Sequence, residues 1–227
     1  MNMNTFFFSD PHFGHGNILR YTKRYPWLTP EERKLVDTNV DFCVNWQSVR
    51  KMDNDVIANI NDLVKADDVL YFLGDFAFGS RGQSGETAAY YRKCINCKTI
   101  YCVQGNHDRP KWWDRNLFYV VAPQIETYVG NQFFVLNHCA MAIWNKCHHG
   151  AIHLYGHSHS SAESWLDSIM PERRSMDVGI DNLAKIFAKK DNIVEPLAKH
   201  YRPISVDEVL EIMRDRKQPV VDHHGQD

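Results

Sequence analysis

The chain has 227 residues, 44% of them hydrophobic, enough to bury one substantial core, so a single domain over residues 1–227 is expected. Lys and Arg total 26 against 28 Asp and Glu; the net charge of −2 supplies no whole-protein field for a polyanion and argues against a dedicated duplex-DNA binder. The N-terminus has no signal-peptide apolar region and no apolar run approaches the roughly 20 residues needed to span a bilayer, so a cytoplasmic protein is expected, with its six cysteines reduced.

Thr5 to Ser9 reads as a short buried strand stopped by Pro11, leaving Asp10 and His12 on the loop at its carboxyl end, where open α/β sheets place ligands. Thr29-Pro30-Glu31-Glu32 is a capping box with proline at the first helical position, and opens a helical stretch running towards Arg50. Asp53 to Val64 is a second helix, with Val56, Ile57, Ile60 and Val64 on one face. Val69 to Leu73 is a continuous apolar strand ending at Gly74-Asp75. Glu86 to Ile95 predicts a helix, and Thr99 to Val103 a strand that delivers Gly105-Asn106-His107-Asp108. Phe118 to Tyr128 and Gln132 to Asn137, around Val129-Gly130-Asn131, read as antiparallel neighbours, the second ending at His138. Ala151 to Tyr155 runs into Gly156-His157-Ser158-His159, and Met176 to Ile180 is one more strand. Ser205-Val206-Asp207-Glu208 caps a closing helix whose buried face carries Val206, Val209, Leu210 and Met213, and Val220 to Asp227 is expected to fray.

Carboxylate, amide and imidazole groups thus recur at the ends of apolar strands. Asp10 and His12 are two residues apart, so in extended backbone they point to one side and can hold one ion together, and the same spacing joins His157 to His159. Asp75 is the natural bridging carboxylate between two ions, and Asn106 adds a neutral carbonyl oxygen. Glycine precedes three of the five motifs, as close backbone approach to a packed site requires. Each motif alone is weak, whereas five in order along one chain point to phosphate-ester hydrolysis.

In that order and spacing the residues resemble the calcineurin-like metallophosphoesterases: Asp10-Pro11-His12, Gly74-Asp75, Gly105-Asn106-His107-Asp108, His138 and Gly156-His157-Ser158-His159. The opening Ser9 to Ile18 and the closing Tyr201 to Ser205 look most like the small stand-alone branch found in bacteria and their phages. The resemblance implies an α/β fold, a four-layer α/β/β/α sandwich of two mixed sheets with a dinuclear metal site at the strand carboxyl ends. By motif match, Asp10, His12, Asp75 and His159 would hold one divalent ion, and Asp75, Asn106, His138 and His157 the other. His107 is left unliganded. A hydroxide bridging the ions would attack phosphorus in line, and His107 would protonate or hydrogen-bond the leaving oxygen. Oxygen and imidazole ligation suits manganese, the expected activator, or iron, zinc or nickel.

Protein phosphatases of this superfamily carry a further Asp and Arg after the second motif. Here the residues are Phe76-Ala77-Phe78-Gly79, which argues against a phosphoprotein substrate and leaves the orienting partner of His107 unidentified. His15 lies near enough to the first motif to touch substrate, Arg20, Lys23 and Arg24 form either a phosphate-facing lid or a solvated basic face, and Arg109 is a candidate phosphate contact. Trp144 and the pair Trp112-Trp113 could stack a nucleobase, although aromatics more often belong to the core. The expected substrate is a small phosphodiester, of a cyclic or linear nucleotide, with monoester activity alongside. The alternatives are a nuclease on single-stranded nucleic acid and a non-catalytic scaffold; the unbroken ligand set argues against the second.

Overall fold

The protein is described from a computed structural model covering residues 3–78, 84–108 and 115–217. Arg109, Trp112, Trp113 and the 220–227 tail lie outside those residues.

Four short segments align in parallel: β1 (Thr5–Phe8), β2 (Val69–Phe72), β3 (Thr99–Val103) and β4 (Val120–Ala122). A second sheet holds β5 (Gln124–Val129), β6 (Gln132–Asn137), β7 (Ile152–Tyr155) and β8 (Ser175–Asp177) in the order β5-β6-β7-β8. Its first pair is an antiparallel hairpin and the rest is parallel. The short β9 (Ile204–Ser205) pairs antiparallel with β1 and completes the first sheet as β4-β3-β2-β1-β9.

The sheets meet face to face through Phe7, whose ring lies 5.1 Å from Phe134, and through Tyr71, whose hydroxyl is 3.4 Å from Thr127 Oγ1. Alternation along β1 turns Phe6 and Phe8 the other way. There the helices α1 (Gly16–Tyr21), α2 (Pro30–Asp37), α3 (Trp46–Leu63) and α4 (Ser84–Cys94) follow one another in the chain. The apolar stripe of α3, Val49, Met52, Val56 and Ile60, belongs to the same core as β1 and β2. Beyond the second sheet, Trp144, Cys147 and Ala151 pack on Val135, and the Tyr155 hydroxyl donates to Glu163 at the start of α5 (Glu163–Ile169). The result is an α/β/β/α sandwich.

Two further helices complete the fold, α6 (Ile180–Lys190) and α7 (Val206–Met213), the latter opened by the Ser205–Glu208 capping box that the sequence predicts. Among the described residues, no helix is long and apolar enough to cross a membrane.

Three local expectations are corrected. The stretch opened by Thr29 does not run towards Arg50: α2 stops at Thr38, Asn39 takes a left-handed φ of 54°, and α3 starts afresh behind Asn45, whose side chain accepts the Gln47 N–H. Glu32 of α2 in turn accepts the Asn45 N–H at 2.6 Å, so the two helices share a corner. Phe118 to Tyr128 is not one strand; the chain leaves the first sheet at Ala122 and enters the second at Gln124, with Pro123 at the crossing. The strand ending at Asp177 does not continue to Ile180. Met176, Val178 and Ile180 alternate like a strand, but Gly179 caps α6, whose buried Leu183, Ala184, Phe187 and Ala188 follow helical spacing.

Candidate metal centre

The carboxyl ends of β1, β2, β3, β6 and β7 converge, and the loops leaving them carry the motif residues. Main-chain bonds join these loops directly: Asp10 N–H donates to Gly74 O at 3.1 Å, His12 N–H to Asp75 O at 3.1 Å, and Gly156 N–H to His138 O at 2.9 Å. Ile180 N–H donates to Ser9 O at 2.9 Å, which ties the ends of the two sheets together.

Asp10 and His12 do not share a side through extended backbone. Both are left-handed, with φ of 59° and 51°, and so are Asp75 (53°), His157 (69°) and His159 (49°). Each such residue costs about 1–2 kcal/mol relative to ordinary backbone. Strain repeated at five candidate ligands shows that the surrounding hydrogen bonds impose the geometry. The glycines are equally constrained. A Cβ on Gly156 would stand 2.1 Å from Asp10 Oδ2, and one on Gly74, itself at φ +96°, would stand 2.6 Å from His138 Nδ1.

The side chains gather in two groups, Asp10, His12 and His159 in one, Asp75, His138 and His157 in the other, with the potential ligand atoms of each group within 4.8 Å of one another. His157 and His159 therefore part company, against the expectation that their spacing joins them. Asp75 Oδ2 lies between the groups, 3.5 Å from His12 Nε2 and 3.4 Å from His138 Nε2. Its other oxygen is taken by the His107 N–H at 2.9 Å. Asn106 Oδ1 is 2.9 Å from both His138 Nε2 and His157 Nδ1.

The donor set fits divalent cations. Asp10 Oδ1 and both ring nitrogens of His12 are buried without a hydrogen-bond partner, a costly arrangement for polar atoms that a cation would satisfy. Burial pushes the Asp10 carboxyl up to about 7, against the pull of His138 and His159. Burial works the same way on Asp75, but contact with His138 and the nearby His12 prevail and hold it down at about 2. Burial acts to lower His138, whereas Asp75 and Asp10 raise it to about 9. His138 Nδ1 lies 2.8 Å from Leu73 O; donation there leaves Nε2 facing the site.

Four buried charged residues that the motifs do not assign hold the site in place. Arg24 is wholly buried, so it is neither a lid residue nor part of a solvated face. Its guanidinium donates to Asp10 O (2.9 Å), to Pro11 O (2.8 Å) and twice to Asp181 (2.9 and 2.8 Å). Asp181 in turn lies 2.7 Å from His159 Nδ1, which fixes that ring and leaves Nε2 for an ion. Burial opposes the charge of Asp181, yet Arg24 and His159 hold it well below the usual carboxylate range. Asp108 accepts the main-chain N–H groups of Asp75, Phe76 and Gly105, clamping the second motif to the third. Asp177 accepts from Ser158 Oγ and from the Ser160 and Gly179 N–H groups, and so shapes the last motif. Asp177 ends a strand as Asp10 and Asp75 follow theirs, but β8 reads Ser175-Met176-Asp177 and is no apolar run, so the rule that locates the other two does not find it. Arg24 and Asp181 carry no such signal, because their roles arise from a contact 157 positions apart in sequence.

A cleft of about 670 Å³ opens beside the first of these groups, lined by His12 and His159. His107 lines it, with its ring 5.5 Å from both His12 and Phe78. His15 lines it too, stacked on Phe78 at 4.1 Å and held neutral by burial, which pulls it down to about 4. Arg20 instead faces an adjoining groove, paired with Asp41 and against the Tyr21 ring. Trp144 is a core residue, buried with its Nε1 donating to Ala151 O at 3.1 Å. His153 is core as well.

The α/β/β/α sandwich thus carries two adjoining Asp/His groups that could each hold a metal ion, the first of them bordering the cleft. The calcineurin-like phosphoesterase family model matches residues 3–226, and the chain belongs to that family. An uncharacterized protein of Methanocaldococcus jannaschii is 23% identical over 209 residues, 92% of this chain and 90% of that one. Among solved structures, a protein of unknown function from Aquifex aeolicus superposes with a TM-score of 0.58 at 17% identity, over 93% of this chain and 100% of its own, and shares the fold. Yfce, a phosphoesterase from E. coli, reaches a TM-score of 0.34 at 18% identity, over 69% and 70%.

Proposed function

We propose that the chain is a dinuclear phosphodiesterase acting on a small, nucleotide-like substrate, with monoester hydrolysis as a secondary activity, and that residues 1–227 form one catalytic domain. The observation that carries this reading is the meeting of the two Asp/His groups at Asp75 Oδ2, beside buried atoms without partners and next to a cleft of about 670 Å³ that His12, His107 and His159 line. Asp10, His12 and His159 would hold one divalent ion and Asn106, His138 and His157 the other, with Asp75 common to both. The ions would supply Lewis-acid charge and lower the pKa of water towards neutrality. Two such ions against the two carboxylates Asp10 and Asp75 leave an excess of positive charge that draws in an anionic phosphate. Manganese is the proposed activator, since oxygen and imidazole donors suit it and availability sets occupancy.

The protein's own residues would do the rest. His107 stands exposed in the cleft while its main-chain N–H anchors Asp75, so its ring can reach the oxygen that leaves phosphorus and give it a proton. Phe78 packs against both His107 and His15 and holds their rings to one wall. Arg109, next to the third motif, remains a proposed phosphate contact.

The test is hydrolysis of bis(p-nitrophenyl) phosphate. EDTA should abolish it and manganese restore it; turnover that survives exhaustive chelation would overturn the reading.

A further inference from the structure

The cleft is longer than a single phosphate needs. Away from His12, His107 and His159 it runs on between Tyr21 and Lys23 at the end of α1 and a serine-rich wall, Ser160, Ser161 and Ser164, with Lys185 beside it. Lys185 lies on α6 one turn beyond Asp181, the residue that orients His159, and four residues of helix span about 6 Å. One helix thus places a metal-ligand support and an ammonium group along the same side of the cleft. The Lys185 ammonium donates to Ser160 Oγ, which holds it towards the cleft. Among the described residues, neither Lys23 nor Lys185 has a carboxylate within ion-pair distance, although the chain as a whole is slightly acidic. Their charge is available to a ligand.

The geometry points to a second anion subsite: Lys185, with Lys23 and the hydroxyls of the serine wall, receives a second phosphate of the substrate while the scissile one lies over the metal centre. This rests on the phosphodiesterase reading and sharpens it to nucleotides that carry a phosphate besides the one cleaved.

The p-nitrophenyl ester of thymidine 5′-phosphate, with and without a 3′-phosphate, tests it, since both release the same chromophore from the same bond. With manganese supplied, the 3′-phosphorylated ester should have a kcat/KM higher by about tenfold, chiefly through KM, as expected for a charge-assisted hydrogen bond remote from the reacting atoms. That ratio should fall to about one in Lys185→Ala and recover in Lys185→Arg. A wild-type ratio near one, or a ratio unchanged in Lys185→Ala, would overturn the subsite while leaving the phosphodiesterase reading in place. Failure of the wild-type protein to cleave either ester would overturn both.

Discussion

At the metal end of the cleft, Asp10, His12, Asp75 and His138 are buried, strained or clamped by main-chain bonds, and backed by Arg24, Asp108, Asp177 and Asp181. At the opposite end, Lys23, Lys185, Ser161 and Ser164 stand exposed. Buried polar atoms must each find a partner, so the metal end admits few residue types at each position. The exposed end admits many. Chemistry is therefore set by an overdetermined framework, and choice of substrate by side chains that are free to vary.

The largest effect expected from breaking this contrast is at His107, an exposed side chain beside the buried Asp10, His12 and Asp75. His107→Ala should cut turnover by about 10²-fold or more while both metals stay bound, as loss of a general acid does. An ester with a poor leaving group is the proper substrate, because p-nitrophenolate departs without help; near-wild-type turnover of such an ester would remove His107 from its role. The next effect falls on the support layer. Asp181→Ala frees the His159 ring and strands the Arg24 guanidinium, so metal affinity should drop by about 10- to 100-fold, read by metal titration. An unchanged affinity would mean that the buried layer serves stability alone.

The smallest effect concerns stability, away from both ends. His153 accepts the Met141 N–H on Nε2 at 3.1 Å and lies 2.9 Å from Val135 O through Nδ1, so the neutral ring is built into the core. Burial lowers it from 6.5 to about 4. Between those values the unfolded chain binds the extra proton, so stability is full above pH 6.5 and declines as pH falls towards 4, by at most about 3 kcal/mol. Denaturant midpoints across that range, with an NMR titration of the ring, check it. A ring that protonates near pH 6.5 in the folded protein would refute the assignment.

The same contrast explains what could be read from the sequence. The sheet strands announce themselves as apolar runs, and the motif residues at their ends announce the metal end, because backbone approach and burial leave little choice at Gly74, Asp75 or Gly156. The capping boxes at Thr29 and Ser205 locate two helix starts for an equally local reason. What could not be read is non-local. Arg24 looks like a surface cation in a basic stretch and becomes wholly buried only because α6 brings Asp181 to it. The start of α6 is masked by a strand-like alternation over Met176, Val178 and Ile180, although the spacing of Leu183, Ala184, Phe187 and Ala188 beyond it is helical. The Lys185 subsite depends on that helix, so it too escapes a reading of motifs.

In the proposed centre, two metal sites share Asp75. Metal analysis of Asp75→Asn beside the wild-type protein tests it most directly, because the amide keeps the size of the side chain and removes the charge between His12 and His138. About two ions per wild-type chain are expected, and loss of both together in the variant, with activity lost in parallel. Retention of one ion at wild-type affinity would contradict it.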